Sequence, residues 1–218
     1  MPDLHILFSD EYLLAVDKPA GLPTLPDGYD RSAPCLIDLL KQQFDRVWVA
    51  HRLDKETSGA IVFARTAAVH RALNIAFDSR DVHKVYHAIT SGVPPWDEHT
   101  IDLPLRPDGD RRHRTVIDAQ HGKSAVTRLR VIERFAQHTL IEAQPATGRT
   151  HQIRAHLAAL DLPLAGDLLY GGKATFIDRV ALHAYSIELK HPVTYAALHI
   201  EAPYPPDFTH ALRQLRGH

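Results

Sequence analysis

The chain has 218 residues, of which 44% are hydrophobic and 23% are charged, and these are ordinary values for a soluble globular protein with a buried core. Its single cysteine, Cys35, excludes an intramolecular disulfide, and no apolar run reaches the roughly 18 residues that a membrane-spanning helix needs. The N-terminus lacks the basic start and longer apolar core of a signal peptide, so we expect a cytoplasmic protein with no membrane partner.

Short strands dominate the predicted elements. Two apolar segments separated by Ser-Asp-Glu open the chain as a hairpin, a loop rich in proline and glycine follows over 18–31, and a polar hairpin-like insertion occupies 106–114. Because strands outnumber helices and mostly follow short turns, the predicted class is α+β, around a largely antiparallel mixed β-sheet, in a single domain over 1–218. The predicted strands are residues 4–8, 12–17, 47–50, 59–64, 83–90, 124–135, 139–143, 181–189 and 195–201.

Apolar residues at helical spacing predict the helices. Three of them have a hydroxyl side chain where a capping residue is expected, at Ser32, Thr66 and Thr150, and a fourth short helix spans 206–215. The positions predicted to face inward are Leu36, Leu39, Leu40 and Phe44 in the first helix, Val69, Leu73, Ala76 and Phe77 in the second, and Ile153, Leu157 and Leu160 in the third.

A dense group of polar residues separates the predicted strands 47–50 and 59–64. Loops held by a rigid scaffold are where functional side chains tend to lie. From spacing alone three interpretations stay open: a nucleophilic or basic Asp54, a hydrolase triad of Ser58, His51 and Asp54, and a structural turn with Arg52 paired to a surface acid. The triad is disfavoured because the segment has no Gly-x-Ser-x-Gly elbow.

A second polar group spans 146–157, where Gly148 precedes the helix that Thr150 is predicted to cap. Main-chain N–H groups and the helix dipole favour an anion at such a start. Arg154 directly follows the inward-facing Ile153, at the edge of the buried face, where an arginine needs a carboxylate partner. An ordinary boundary arginine is the structural alternative.

The formal net charge of −1 is unlike that of most nucleic-acid-binding proteins, but the charges are unevenly distributed. From Arg106 to Arg154 there are ten Lys or Arg against five Asp or Glu, so the rest of the chain is acidic. A locally basic surface can hold phosphates on a neutral protein. Charges that only solvate strand faces are the alternative.

The sixteen histidines do not form a recognisable metal site. His83 and His87 share a strand face, but no Cys pair or His-Glu-x-x-His pattern supports them as ligands. A Gly-x-Gly-x-x-Gly segment and a phosphate loop are also missing. We therefore predict no metal and no cofactor.

Several ordered segments, covering roughly residues 5–205, resemble the RluA-type family of RNA pseudouridine synthases. Arg52-Leu53-Asp54 followed by Thr57-Ser58-Gly59 is highly specific, and chance agreement of all the segments is negligible. The resemblance implies a compact catalytic-domain-only member, with no separate N-terminal RNA-binding domain. The matching segments are VDKPAGL at 16–22, HRLDKETSG at 51–59, KVYHA at 84–88, TGRTHQIRAHL at 147–157, PLAGDLLYG at 163–171, LHA at 182–184 and HP at 191–192.

The resemblance implies roles for three catalytic residues. Asp54 is the carboxylate that starts the reaction, either by attack on C1′ or by removal of the C2′ proton. Arg154 is its ion-pair partner, and Tyr86 stacks on the uracil and assists later proton transfers. These roles require Asp54, Tyr86 and Arg154 to converge in one pocket.

The resemblance also implies an RNA partner, ribosomal or transfer RNA, and we expect a monomer. The target uridine must leave its stack, and Arg52 is a candidate to fill the vacated space or hold a phosphate. Arg149 and His151 are further RNA-binding candidates, and basic residues of 106–114 and 128–134 are candidates for phosphate contacts. Two other functions stay open: a catalytically silent RNA-binding module, and a glycoside hydrolase or nucleosidase that pairs Asp54 with Glu56.

Overall fold

The computed structural model describes residues 4–26 and 33–217. The predicted α+β class is confirmed, and the predicted strands recur within a few residues of their expected bounds. The strands are β1 (His5–Ser9), β2 (Leu13–Lys18), β3 (Trp48–Val49), β4 (Ser58–Ala64), β5 (His83–Ser91), β6 (Glu98–Asp102), β7 (Leu105–Arg106), β8 (Val116–Ile117), β9 (Val126–Arg134), β10 (His138–Pro145), β11 (Leu182–Lys190) and β12 (Ala197–Glu201). The helices are α1 (Leu36–Gln43), α2 (Ala67–Asp78), α3 (Gln152–Ala159) and α4 (Pro206–Arg216).

The chain divides into two compact units. The first comprises Met1–Lys84 with Ala184–Pro203, and the second comprises Val85–His183 with Tyr204–His218. No helix in the described part of the chain is long and apolar enough to cross a membrane.

In the first unit, β1, β2 and β4 are neighbours in antiparallel order, and β3 adds to β4. All seven residues of β4 are buried, and the six that follow Ser58 form the uninterrupted apolar run that is typical of a strand covered on both faces. Helix α2 covers these strands with Val69 and Leu73. Thr66 caps α2 as predicted, because its hydroxyl accepts the Val69 N–H at 3.2 Å.

Asp10 and His191 join the two hairpins of the first unit. Asp10 accepts the main-chain N–H groups of Tyr12 and Leu13, both at 2.7 Å, and its other oxygen lies 2.9 Å from Nε2 of the buried His191. Nδ1 of His191 accepts the N–H of Thr194 at 3.0 Å, so Nε2 carries the proton that is donated to Asp10. Burial acts to raise the pKa of Asp10, but these hydrogen bonds outweigh it and hold the pKa below 3.8.

We expect Asp10→Ala to lower the free energy of unfolding by about 1–2 kcal/mol at neutral pH, which is the scale of two or three lost hydrogen bonds. Because the folded-state pKa is depressed, this stabilisation is complete above the unfolded pKa and disappears as the pH falls through the folded pKa. Urea unfolding of both proteins between pH 7 and pH 2 measures it. A difference that persisted unchanged at the acid end would contradict the role of the ionised carboxylate.

In the second unit, β5, β10, β9 and β6 form an antiparallel sheet in that order. Ile89 lies opposite Leu140 and packs with α4, while Ala88 lies opposite Ile141 and packs with α3. Neighbouring residues of a strand point to opposite faces, so the two helices cover opposite faces of this sheet. The predicted insertion after β6 is a hairpin, in which Arg106 pairs with Val116.

Of the predicted helix caps, Thr150 is wrong and Ser32 is not among the residues that the structure describes. Thr150 does not cap α3: its N-cap is His151, which has a left-handed backbone (φ 50°) and makes no side-chain cap bond. Ser32 lies outside the described residues, and α1 begins after Cys35. Leu39 was predicted to face inward but is half-buried, and Ile37 is buried instead.

Candidate active site

The loop between β3 and β4 contains Asp54. Asp54 is half-buried and Arg52 is exposed. The N–H of Thr57 donates to the main-chain carbonyl of Asp54 at 3.1 Å, so the chain turns directly after Asp54 and enters β4. Gly59 in β4 has φ +111°, and a Cβ there would lie 2.2 Å from the carbonyl oxygen of Ala184. Only glycine permits this close approach of β11, which explains the glycine that ends the HRLDKETSG segment.

His51 fixes the start of this loop. Strand β3 ends at Val49, opposite Phe63, and the next residue of β4, Val62, donates its N–H to Nε2 of His51 at 3.0 Å. The imidazole therefore replaces a strand neighbour at the point where the chain leaves the sheet. Burial of the ring and, second, the positive charge of Lys84 lower the pKa of His51 to about 3, so it is neutral at physiological pH.

This arrangement counts against the hydrolase triad. Nε2 of His51 is occupied as an acceptor, and the other nitrogen of a neutral imidazole then carries the proton. His51 has no basic nitrogen left to take a proton from Ser58, whose residue is itself only 1% exposed. In the structure, His51 instead holds the start of the loop that contains Asp54 against β4.

Thr24 holds the residue just before Asp54. Its buried hydroxyl donates to the carbonyl of Leu53 at 3.0 Å and accepts the N–H of Leu53 at 3.2 Å. One side chain thus satisfies both main-chain groups of Leu53, as a neighbouring strand would do. Leu53 itself is buried, so the main chain is held from two directions immediately before the carboxylate.

Lys18 supports the loop on the other side of Asp54. Its side chain is fully buried, and Nζ donates to the carbonyl oxygens of Pro19, Leu22 and Lys55 at 2.9, 2.7 and 3.0 Å. Burial of an ammonium group without such partners costs free energy. Lys18 therefore holds the segment that contains Pro19 and Leu22 close to the loop that contains Lys55. The sequence marked the VDKPAGL segment as part of a resemblance, but nothing local to it indicated that this lysine is buried or contacts Lys55.

Tyr86 and Arg154 belong to the second unit. Tyr86 is half-buried on β5, opposite Ala143, and its ring packs at the edge of the cluster that includes Ala88 and Ile141. Its place on a paired strand of the sheet gives it a rigid backbone, as a stacking side chain requires.

Arg154 forms a buried ion pair with Asp167. Nε and Nη2 donate to the two carboxylate oxygens at 2.7 and 2.8 Å, and both side chains are almost wholly inaccessible to solvent. Arg154 therefore has the carboxylate partner that its position at the edge of the buried face requires, but the partner that the structure shows is Asp167, which sequence reasoning missed. The only signal was the Gly-Asp of the PLAGDLLYG segment, which carries no spacing that points to Arg154. The pairing of Arg154 with Asp54 that the resemblance implied stays a prediction.

The loop before α3 contains Arg149 and His151. Oε1 of Gln152 accepts the Thr147 hydroxyl at 2.6 Å and the Arg149 N–H at 3.1 Å, so the first residue of α3 holds the loop that precedes it. Arg149 is exposed and donates from Nε to the Ser124 carbonyl at 3.2 Å. His151 is half-buried, with Nδ1 at 3.2 Å from the hydroxyl of Tyr170.

The cations of the basic region differ in their partners. Residues brought near by the fold neutralise several of them, because the pairs are Arg106 with Asp118, Arg114 with Asp110, Arg130 with Glu142, and Arg134 with Asp97. Within residues 4–26 and 33–217, five have no carboxylate partner: Arg111, Arg112, Lys123, Arg128 and Arg149. Strand β9 is thus a weaker candidate for phosphate contacts than its sequence suggested, except at Arg128.

Asp54 lies in the first unit, and Tyr86, Arg149, His151 and Arg154 lie in the second. Their convergence stays a prediction. Among the described residues, no group of three or more His, Cys, Asp or Glu is arranged to hold a metal ion.

Known proteins resemble this chain over nearly its whole length. The family model described as RNA pseudouridylate synthase matches residues 12–159. The chain is 39% identical to the ribosomal large subunit pseudouridine synthase D of Pseudomonas aeruginosa, over 98% of the chain and 72% of that protein. It is 36% identical to the dual-specificity RNA pseudouridine synthase RluA of Vibrio vulnificus, over 94% of the chain and 86% of that protein. The solved structure of human RNA pseudouridylate synthase domain containing 4 matches with a TM-score of 0.81 and 28% identity, over 97% of this chain and 93% of the human one.

Proposed function

This chain belongs to the RNA pseudouridylate synthase family, and from that premise we propose that Asp54 is the carboxylate that starts the isomerisation of uridine. The protein is an RNA pseudouridine synthase and therefore an isomerase. One observation carries the assignment of Asp54: His51, Thr24 and Lys18 hold the main chain on both sides of it. A catalytic group must be held in position by its surroundings, and this loop is held in that way.

The reaction breaks the N1–C1′ bond of uridine and joins the same base to C1′ through C5. Atoms and electrons balance without an oxidant, and the proton lost from C5 returns to N1 by way of solvent or a side chain. Asp54 starts it either by attack on C1′ or by removal of the C2′ proton. Arg154 supplies positive charge for the carboxylate chemistry, held in orientation by Asp167. Tyr86 provides the surface on which the uracil stacks.

The proposed substrate is an exposed uridine in structured ribosomal or transfer RNA. One relative is named for the large ribosomal subunit, which supports ribosomal RNA, and another is named for dual specificity, which supports more than one RNA substrate. Arg52, Arg149 and His151 are the proposed RNA-binding residues, and Arg52 and Arg149 are exposed as that role requires. We further propose that residues 1–218 act as one catalytic domain, as a monomer in the cytoplasm, without a metal or cofactor.

Incubation with RNA that carries 5-tritiated uridine tests the reaction. Release of tritium to water without free uracil is the expected result, since C5 exchanges its hydrogen while the base stays on the RNA. Liberated uracil would instead identify a hydrolase or nucleosidase, and no release from total RNA would identify a silent binding module. Mapping pseudouridine in cellular RNA with and without the gene then gives the modified uridine.

We expect Tyr86→Phe to lower kcat about tenfold or more while the Kd for RNA changes little, because the ring still stacks but the hydroxyl no longer assists proton transfer. Single-turnover assays and filter binding on the same RNA separate the two quantities. Tyr195→Phe is the matched control, because Tyr195 is 76% exposed on the turn after β11. Wild-type kinetics for Tyr86→Phe would reduce Tyr86 to a stacking surface.

A further inference from the structure

Tyr170 is a buried tyrosine to which the proposed function assigns no role. It is 8% exposed, and its hydroxyl accepts the N–H of Thr115 at 2.9 Å and donates to the carbonyl of the same residue at 3.2 Å. Nδ1 of His151 is the third partner, at 3.2 Å. A phenol has one proton to donate, so His151 is the donor in this last contact. The Tyr170 hydroxyl therefore joins the β7–β8 hairpin, which contains Thr115, to His151, the N-cap of α3.

The ring of Tyr170 contacts two arginines. The guanidinium carbon of Arg154 lies 5.0 Å from the ring centre, and that of Arg114 lies 5.9 Å away. Cations at such distances from an aromatic face are attracted to it, more strongly where water is excluded. The main-chain N–H of Tyr170 also donates to Asp167 at 3.3 Å. Tyr170 thus contacts both members of the Arg154–Asp167 ion pair as well as the hairpin.

The hairpin carries cations that are available to an anionic ligand. Two ion pairs stabilise its shape: Arg114 with Asp110 within the hairpin, and Arg106 with Asp118 directly after it. Arg111 and Arg112 are exposed near its tip, and neither has a carboxylate partner in the part of the chain that the structure describes. Arg112 donates to the carbonyl of Leu168, next to Asp167, at 3.3 Å. Exposed, unneutralised arginines suit phosphate oxygens.

The hairpin is too small to hold its position alone. Each of its strands has two residues, and isolated two-stranded hairpins are at best marginally stable in water. Both main-chain groups of Thr115 are buried with it and depend on the Tyr170 hydroxyl. Removing that hydroxyl leaves a buried donor and acceptor without this partner, which favours release of the hairpin.

We propose that Tyr170 is a positioning residue that holds the Leu105–Ile117 hairpin against His151 and Arg154. In this position the hairpin binds phosphate groups of the RNA. The inference rests on the proposed function and adds to it a hairpin that binds the phosphate backbone of the RNA. Through the same side chain, the hairpin is linked to the ion pair of Arg154, so RNA bound at the hairpin is held in a defined position relative to that residue.

The test compares Tyr170→Phe with Arg111→Ala/Arg112→Ala on a transcript of the RNA that mapping identifies. Each variant is expected to raise KM about tenfold, the scale of one or two hydrogen bonds or ionic contacts, with kcat within about twofold of wild type. Loss of one or two phosphate contacts should also lower the slope of log Kd against log salt by about 1–2. If both act through the hairpin, combining them adds little to either.

A purely structural role for Tyr170 would lower Tm but leave KM, kcat and the salt slope of the folded protein unchanged, and this result would overturn the proposal. Additive effects in the combined variant would overturn it too. If Tyr170→Phe fails to fold, Arg111→Ala/Arg112→Ala decides alone. An unchanged KM and an unchanged slope of log Kd against log salt in that variant would remove the phosphate-binding role of the hairpin. Tyr195→Phe is the control. Wild-type protein that forms no pseudouridine would contradict the proposed function instead.

Discussion

Asp54→Asn is expected to abolish pseudouridine formation, with a loss of about a thousandfold or more in rate, because the amide neither attacks C1′ nor removes a proton. Folding should be unaffected, since the contacts that hold the loop involve main-chain groups of Leu53, Asp54 and Lys55. The measurement is tritium release under single-turnover conditions, with circular dichroism and thermal unfolding on the same samples. Turnover retained by this variant would remove Asp54 from the mechanism.

Two further substitutions sharpen this experiment. Asp78→Asn is the matched control, because Asp78 is exposed at the end of α2 in the same unit and should behave as wild type. Glu56→Gln separates the synthase from a hydrolase with paired carboxylates. For the synthase, tritium release continues in Glu56→Gln, whereas a hydrolase that uses both carboxylates loses activity in either variant.

Arg154→Ala is expected to destabilise the protein by about 3–5 kcal/mol, because it leaves the carboxylate of Asp167 buried without its charge partner. Thermal unfolding measures this loss, which is a large part of the stability of an ordinary domain. Arg216→Ala is the control: it breaks a more exposed pair with Glu133, and such pairs contribute about 1 kcal/mol or less. A similar small loss for Arg154→Ala would contradict the buried ion pair.

Catalysis by Arg154 is separated from its structural role by Asp167→Asn. Both substitutions break the same ion pair, but only Arg154→Ala removes the cation that is proposed to act with Asp54. Activity per folded molecule, measured below both unfolding transitions, is expected to fall much further in Arg154→Ala than in Asp167→Asn. Equal losses would confine Arg154 to holding the fold.

Patterns carried by neighbouring residues were predictable from the sequence. Alternation and apolar runs located most strands, and Thr66 is a cap because its hydroxyl needs only the N–H of a residue three positions away. The same rule failed at Thr150. There the helix begins after His151, which has a left-handed backbone and contacts Tyr170, 19 residues away in the chain. Local propensity is overridden where a tertiary contact offers a better partner.

The ordered segments of this chain by themselves determined the family, the candidate carboxylate Asp54 and the need of Arg154 for an acid, since each depends on residue identity and local spacing. Only the tertiary structure decided that the acid is Asp167, that Lys18 is buried against Lys55, and which cations are neutralised. The physical reason is that charges and hydrogen-bonding groups are satisfied by whatever the topology brings near. Partners far apart in the chain leave no periodic signal in the sequence.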